Sequence, residues 1–309
     1  MLAAGDTWVG SESDSRTAEG DNACSRVVRT EGEIVMPATS TQPVLTTLIT
    51  GASSGIGEAL AHCFADAGHH LVLVARSGDK LRALADELGR KYGVVVLVQV
   101  ADLSEPGAPA RLAATLQRKR RTVNVLVNNA GVLGQGSFVS MKPALHQQMI
   151  DLNISGLTAM LSAFVPGMVA RAASGAMGRV LNVASIAAFQ PVPTLATYAA
   201  SKAYVLSLTE SLSEELKGSG VTVTALCPGI TATPMLSEAK NVNAKVSQIP
   251  DFLVGDVTDV ARQAFDACMK GDVICVPGAI NQAAMIVSRG SPKWLVRRLG
   301  GLLSGALRA

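Results

Sequence analysis

Seven short runs rich in Val, Leu and Ile punctuate the chain from Val44 onward: VLTTLIT (44–50), HLVLVA (70–75), VVVLVQV (94–100), VNVLVNN (123–129), GRVLNVAS (178–185), VTVTALCP (221–228) and DVICVP (272–277). Each has the length of a strand, and most are apolar nearly throughout, the pattern of strands covered on both faces. Helical stretches such as GEALAHCFADAG and DKLRALADELGRKYG lie between them. Strand and helix alternating in this way specify the α/β class, with one doubly wound parallel sheet. Aromatic residues make up only 4% of the chain, so its core must be built from Ala, Val, Leu and Ile. No internal repeat or linker breaks residues 44–288, which are expected to form a single domain.

The two ends differ from this body. Residues 1–43 mix Gly, Ser, Thr, Asp and Glu without periodicity and carry a net charge of −4, as a disordered leader would, or a stretch upstream of a start at Met36. Residues 289–309 hold five basic and no acidic residues, with Trp294, Leu295, Val296, Leu299, Leu302 and Leu303 among them. This amphipathic tail is expected to pack on the body or a neighbouring subunit in preference to an anionic membrane. The body itself is nearly neutral, which excludes a basic field of nucleic-acid-binding size. No run reaches the roughly 18 uninterrupted apolar residues of a membrane span, and the first residues lack the form of a signal peptide. Five cysteines without a C-x-x-C pair suit a reducing, cytoplasmic setting. No His/Cys/Asp/Glu cluster has metal-ligand spacing, so no metal is expected.

Gly51-Ala52-Ser53-Ser54-Gly55-Ile56-Gly57 sits where the first strand hands over to a helix, the place at which a Rossmann-type fold holds a pyrophosphate on bare backbone N–H groups. Gly51 to Gly55 also fits the G-x-S-x-G elbow of α/β-hydrolases. That reading needs a histidine late in the chain, and His62, His69, His70 and His146 all lie in the first half. Tyr198 and Lys202 share a helix face at i and i+4, and Ser185 ends a strand thirteen residues before the tyrosine. The carboxyl ends of strands face the ligand crevice in such a sheet, so the three can meet there. Taken singly, Ser185 also reads as a helix cap and Tyr198 as a packing residue.

With these motifs in this order, residues 45–280 resemble a classical short-chain dehydrogenase/reductase. Thr50-Gly51-x3-Gly55-x-Gly57 matches that family's cofactor turn, with Ser53, Ser54 and Ile56 inside it. Asp102 and Leu103 fall where the family contacts adenine, and Asn128-Asn129-Ala130-Gly131 matches its fourth-strand signature. Asn153, Ser185, Tyr198 and Lys202 match the catalytic tetrad. Pro228, Gly229 and Thr233 match the loop beside the nicotinamide, where Thr231 departs from the usual Ile or Val. The region after Asp256 is loosely similar to 3-oxoacyl and steroid reductases of the family.

The resemblance implies an NAD(P)-dependent oxidoreductase acting on a ketone or secondary alcohol, and commonly a homo-oligomer. Tyr198 would be the acid/base, tuned by Lys202, with Ser185 orienting the substrate oxygen and Asn153 holding a water for proton relay. Leu133, Phe138, Phe189 and Val192, with the loop 234–256, suggest a moderately hydrophobic pocket. An idle nucleotide sensor would not need the full tetrad, and extended-branch epimerases or dehydratases carry a different glycine spacing and a larger C-terminal part. At the end of the second strand, where an acidic residue selects NAD, this chain has Ala75 followed by Arg76. A guanidinium there grips a 2′-phosphate, so NADP(H) is expected over NAD(H), with Ser53 or Ser77 assisting.

Overall fold

A computed structural model describes residues 44–242, 250 and 253–290. The leader, part of the loop 234–256 and the tail from 291 lie outside the described residues.

The seven apolar runs form seven strands: β1 Thr46–Thr50, β2 His70–Ala75, β3 Val96–Val100, β4 Val125–Asn128, β5 Gly178–Val183, β6 Val221–Leu226 and β7 Ile274–Cys275. They pair in parallel in the order β3-β2-β1-β4-β5-β6-β7. The order reverses between β1 and β4, and the crevice outside the carboxyl ends of strands at such a point is where ligands bind.

Side chains alternate across the strands into two cores. Leu48, Val72, Leu126 and Val180 face α3 (Ala108–Arg118), α5 (Leu157–Ala172) and α6 (Ala196–Glu215). Ile49, Leu73, Val127 and Leu181 face α1 (Gly55–Asp66), α2 (Gly78–Tyr92) and α8 (Val257–Lys270). Alanines at Ala61, Ala65, Ala261 and Ala264 are buried in this second core, and Phe64 packs edge-on against Phe265 at 4.9 Å. The start of α8 is fixed by Asp256, whose carboxylate accepts from the N–H groups of Thr258 (2.8 Å) and Asp259 (3.0 Å).

α4 (Pro143–Ile150), a π-helical turn (Asp151–Gly156) and α5 run on as one helical stretch. Pro143–Ala172 is long and apolar enough to cross a membrane, with a hydropathy of 1.5. Met160, Leu161, Phe164 and Met168 on it are buried in the core against the sheet. The π turn admits an extra residue per turn and so re-aims the side chains that follow. Beyond β6 come α7 (Pro234–Val242), α8, β7 and α9 (Ala279–Gly290), the last helix running two residues past the expected domain end at 288. The four described cysteines are free thiols, and burial pushes Cys268 up to about 12 and Cys275 up to about 11.

Candidate active site

Thr50 closes β1 at the switch point. Its hydroxyl donates to Val127 O (3.2 Å) and accepts from the N–H groups of Asn129 (2.9 Å) and Ala130 (3.0 Å), tying the ends of β1 and β4 together. The Asn129 amide donates back to Thr50 O (2.9 Å) and Gly51 O (3.1 Å). Gly51 and Gly55 take the left-handed region at φ +63° and +61°. A Cβ on Gly51 would stand 2.8 Å from the Asn129 amide. Gly57 does not line the crevice; it faces Gly51 O and the Asn129 amide, which leave no space for a methyl group. Its glycine is demanded by the packing of α1 on the turn. Ser54 precedes α1 without a side-chain capping bond, so the helix offers its first N–H groups beside the crevice.

On one side of this turn, Arg76 follows β2 with its side chain 63% exposed and Nη1 4.0 Å from Asp102 Oδ2. Asp102 accepts from the hydroxyl (2.6 Å) and N–H (2.9 Å) of Ser104. The Ser104 hydroxyl first, then its N–H and Arg76, hold the Asp102 carboxyl below the usual carboxylate range. The guanidinium therefore stands over a fixed negative charge at the edge of the crevice.

On the other side, Ser185 ends the β5 segment, and its Oγ accepts from Ala187 N at 3.1 Å, capping the 3-10 turn Ile186–Phe189. The Tyr198 phenol lines the same crevice; burial raises its pKa, and the Ser185 hydroxyl opposes the rise. Lys202, one turn along α6, is buried and donates to Val183 O (2.8 Å), with Nζ 5.8 Å from the Tyr198 ring centroid. Burial lowers Lys202 to about 8. The ammonium thus faces the end of β5.

Asn153 stands in the π turn, 1% exposed, behind the crevice wall. Its Oδ1 accepts from Val132 N (2.9 Å), and its Nδ2 donates to Val132 O (3.0 Å) and Ser201 Oγ (3.1 Å). Ser201 in turn donates to Tyr198 O at 2.7 Å. The amide braces the segment following β4 against the helix that carries Tyr198. A Cβ on Gly131 would lie 3.2 Å from Asn153 Oδ1 and 3.4 Å from Lys202 Nζ, so a larger residue there would press on both.

The segment after β6 completes the enclosure. Thr231 donates to Gly229 O (3.1 Å) and Thr233 to Thr231 O (3.3 Å). The methyl group of Thr233 packs on Gly55, and Asn281 of α9 lies so close to Gly229 that no Cβ fits. The hydroxyl of Thr231 thus stabilises its own loop where an aliphatic residue was the expected type.

These parts enclose one crevice of about 550 Å³. Of the residues singled out from the sequence as catalytic or cofactor-binding, all but Gly57 and Asn153 line it. Leu133 and Val192 also line it, whereas Phe138 and Phe189 do not. Phe138 is exposed and stacks at 4.6 Å on His146, and Phe189 packs into the core. Met235, Leu236 and Ala239, from the expected loop 234–256, line it from helix α7, and Gln190, Leu195 and Ile230 line it unforeseen. Gln190, Leu195 and Ile230 carry no motif that could have signalled them.

Comparison with known proteins gives a consistent picture. The family model for short chain dehydrogenase matches residues 45–244. "Oxidoreductase UcpA" of Escherichia coli K12 is 38% identical over 192 residues, 62% of this chain and 70% of that protein. The structure of a short-chain dehydrogenase from Sphingobium yanoikuyae in complex with NADPH superposes with a TM-score of 0.70 at 35% identity, covering 80% of this chain and 93% of that one. A 3-ketoacyl-(acyl-carrier-protein) reductase from Brucella melitensis complexed with NADH gives 0.66 at 31% identity, covering 75% and 96%.

Proposed function

The chain belongs to the short chain dehydrogenase family of NAD(P)-dependent oxidoreductases, and from that premise we propose that it uses NADP(H) to interconvert a moderately hydrophobic ketone and its secondary alcohol. The observation that carries this reading is that Ser185, Tyr198 and Lys202 line one crevice, with Lys202 buried one helical turn from the tyrosine.

The cradle fits a dinucleotide. Gly51 and Gly55 keep the turn low where side chains would intrude, and the start of α1 offers N–H groups for a pyrophosphate. Asp102 and Leu103 would meet adenine, and Arg76 with Ser77 a 2′-phosphate. Asn129, Ala130, Gly131, Lys202, Pro228, Gly229, Thr231 and Thr233 would hold the nicotinamide half. When bound, the nicotinamide supplies or accepts the hydride.

The chain's own residues handle the proton. Burial keeps the Tyr198 phenol protonated near neutral pH, which suits a proton donor to a ketone oxygen. The Ser185 hydroxyl holds that oxygen in place and relieves its developing charge. In the oxidative direction the phenol must first lose its proton, and the positive charge on Lys202 favours that state. Asn153 keeps the geometry by fixing Val132 and, through Ser201, the backbone of Tyr198. An idle sensor on this fold would not need the full set of Asn153, Ser185, Tyr198 and Lys202.

Arg76 supports the choice of NADP(H): its planar donor fork is exposed at the crevice edge, and no acidic residue ends β2. Loss of NADPH absorbance with a panel of neutral ketones tests the reading. Turnover that needs the Tyr198 hydroxyl supports it, and no turnover of any ketone overturns it.

A further inference from the structure

The crevice is chemically divided. Arg76 and Asp102, at the ends of β2 and β3, lie on its adenosine side, whereas Ser185 follows β5. Three strand spacings separate β2 from β5, about 14 Å at the usual distance between neighbours. Around Ser185 and Tyr198 the described lining includes Leu133, Val192, Leu195, Ile230, Met235 and Leu236, with the exposed Gln190. Apart from Lys202, no charged side chain among the described residues lines this reaction side. The Lys202 ammonium is already committed to Val183 O and buried beneath the tyrosine.

This wall is held in shape. Thr194, between Val192 and Leu195, sits at φ +69°, a strained backbone for a β-branched residue. Its carbonyl accepts from Gly136 N (2.9 Å), and Leu195 N donates to Val192 O (3.1 Å). The strained loop therefore presents its two aliphatic side chains from a position anchored to the backbone of Gly136. Gln190 is exposed on extended backbone (φ −150°, ψ 155°), and its amide has no side-chain hydrogen bond to a described residue.

We propose that the reaction side selects uncharged substrates with an aliphatic body, and that Gln190 recognises a second neutral polar group, a hydroxyl or carbonyl, at the mouth. This deepens the function proposed above and rests on it. A carboxylate, sulfonate or phosphate carried into this half would lose water and meet no countercharge from the described wall. A hydroxyl or carbonyl loses little by comparison, because an amide both donates and accepts.

The full-length protein, with NADPH, should be given decan-2-one, 9-oxodecanoate and 9-hydroxydecan-2-one. Both kcat/KM and calorimetric affinity, the latter measured with NADP+ present, should be determined. The two neutral ketones should exceed 9-oxodecanoate by about thirtyfold or more in affinity, the size expected for an unpaired charge at a partly open site. Equal or tighter binding of 9-oxodecanoate overturns the proposal, as does binding of none of the three. Discrimination in binding without NADPH consumption leaves the substrate class standing and instead overturns the assigned reaction. Gln190→Lys should shift the ratio of 9-oxodecanoate to decan-2-one about tenfold toward the anion by supplying the missing countercharge. Gln190→Leu should lower the ratio of 9-hydroxydecan-2-one to decan-2-one about fivefold, as expected for loss of one hydrogen bond. Unchanged ratios in both variants remove Gln190 from the proposal.

Discussion

Tyr198 and Arg76 are the residues whose chemistry has the fewest substitutes. Tyr198→Phe keeps the ring and removes only the hydroxyl, so the fold and cofactor affinity should survive. kcat should fall by about 10²–10⁴, the usual contribution of a positioned acid or base. Steady-state rates check this, and retention of more than about a tenth of the activity excludes the phenol as the essential group. Arg76→Ala should raise KM for NADPH far more than KM for NADH. The reason is that the side chain is exposed and its only charged partner among the described residues is Asp102 at 4.0 Å, a pair worth little to stability. Equal changes in the two constants would remove Arg76 from phosphate recognition.

At the scale of elements, two glycines separate packing from propensity. Gly57 lies at the start of α1, where a Cβ would collide with the backbone of Gly51 and with the Asn129 amide. Gly57→Ala should therefore push α1 off the turn, lowering Tm and weakening NADPH binding together. Gly89 lies inside α2, where an added Cβ would meet only Val94 O at 3.7 Å, an ordinary contact. Gly89→Ala should raise stability by about 0.5–1 kcal/mol, the helical advantage of alanine over glycine. Thermal melts and cofactor titration of the pair check both. A Gly57→Ala protein with unchanged affinity would show that the turn tolerates displacement of its helix.

The whole molecule carries a pH dependence at the end of the sheet away from the crevice. His69, 5% exposed, precedes β2, and its Nδ1 lies 2.7 Å from Thr47 Oγ1. Burial, with Arg179 adding to it, lowers the His69 pKa from the ordinary 6.5. The folded protein therefore binds that proton less readily than the unfolded chain does. The stabilisation is complete above the unfolded value and is lost as pH falls from about 6.5 through the folded pKa. Asp102 and Asp256, both shifted down from 3.8, lose their contributions only at lower pH. Tm should thus drop between pH 7 and pH 5, and His69→Gln should show a smaller drop. Equal drops in the two proteins would place the sensitivity elsewhere.

The alternating apolar runs determined the sheet and its helices, because a strand buried on both faces needs apolar side chains along its length whatever its neighbours. The glycine turn and the Ser, Tyr and Lys positions were legible for a related reason: backbone conformation and proton chemistry admit few residue types. Strand order was not local information, and only the pairing of β1 with β4 brings Arg76 and Ser185 to the same crevice. Tertiary packing also decided that Gly57 supports α1 instead of meeting a ligand, and that Asn153 braces Val132 and Ser201 from behind the wall. It turned Phe138 toward His146 and Phe189 against the core, so that neither aromatic ring lines the crevice beside Leu133 and Val192. A local pattern encodes what one segment requires of its own backbone and burial. The direction a side chain faces across a crevice depends on segments far away in the chain, and becomes definite only once they have packed.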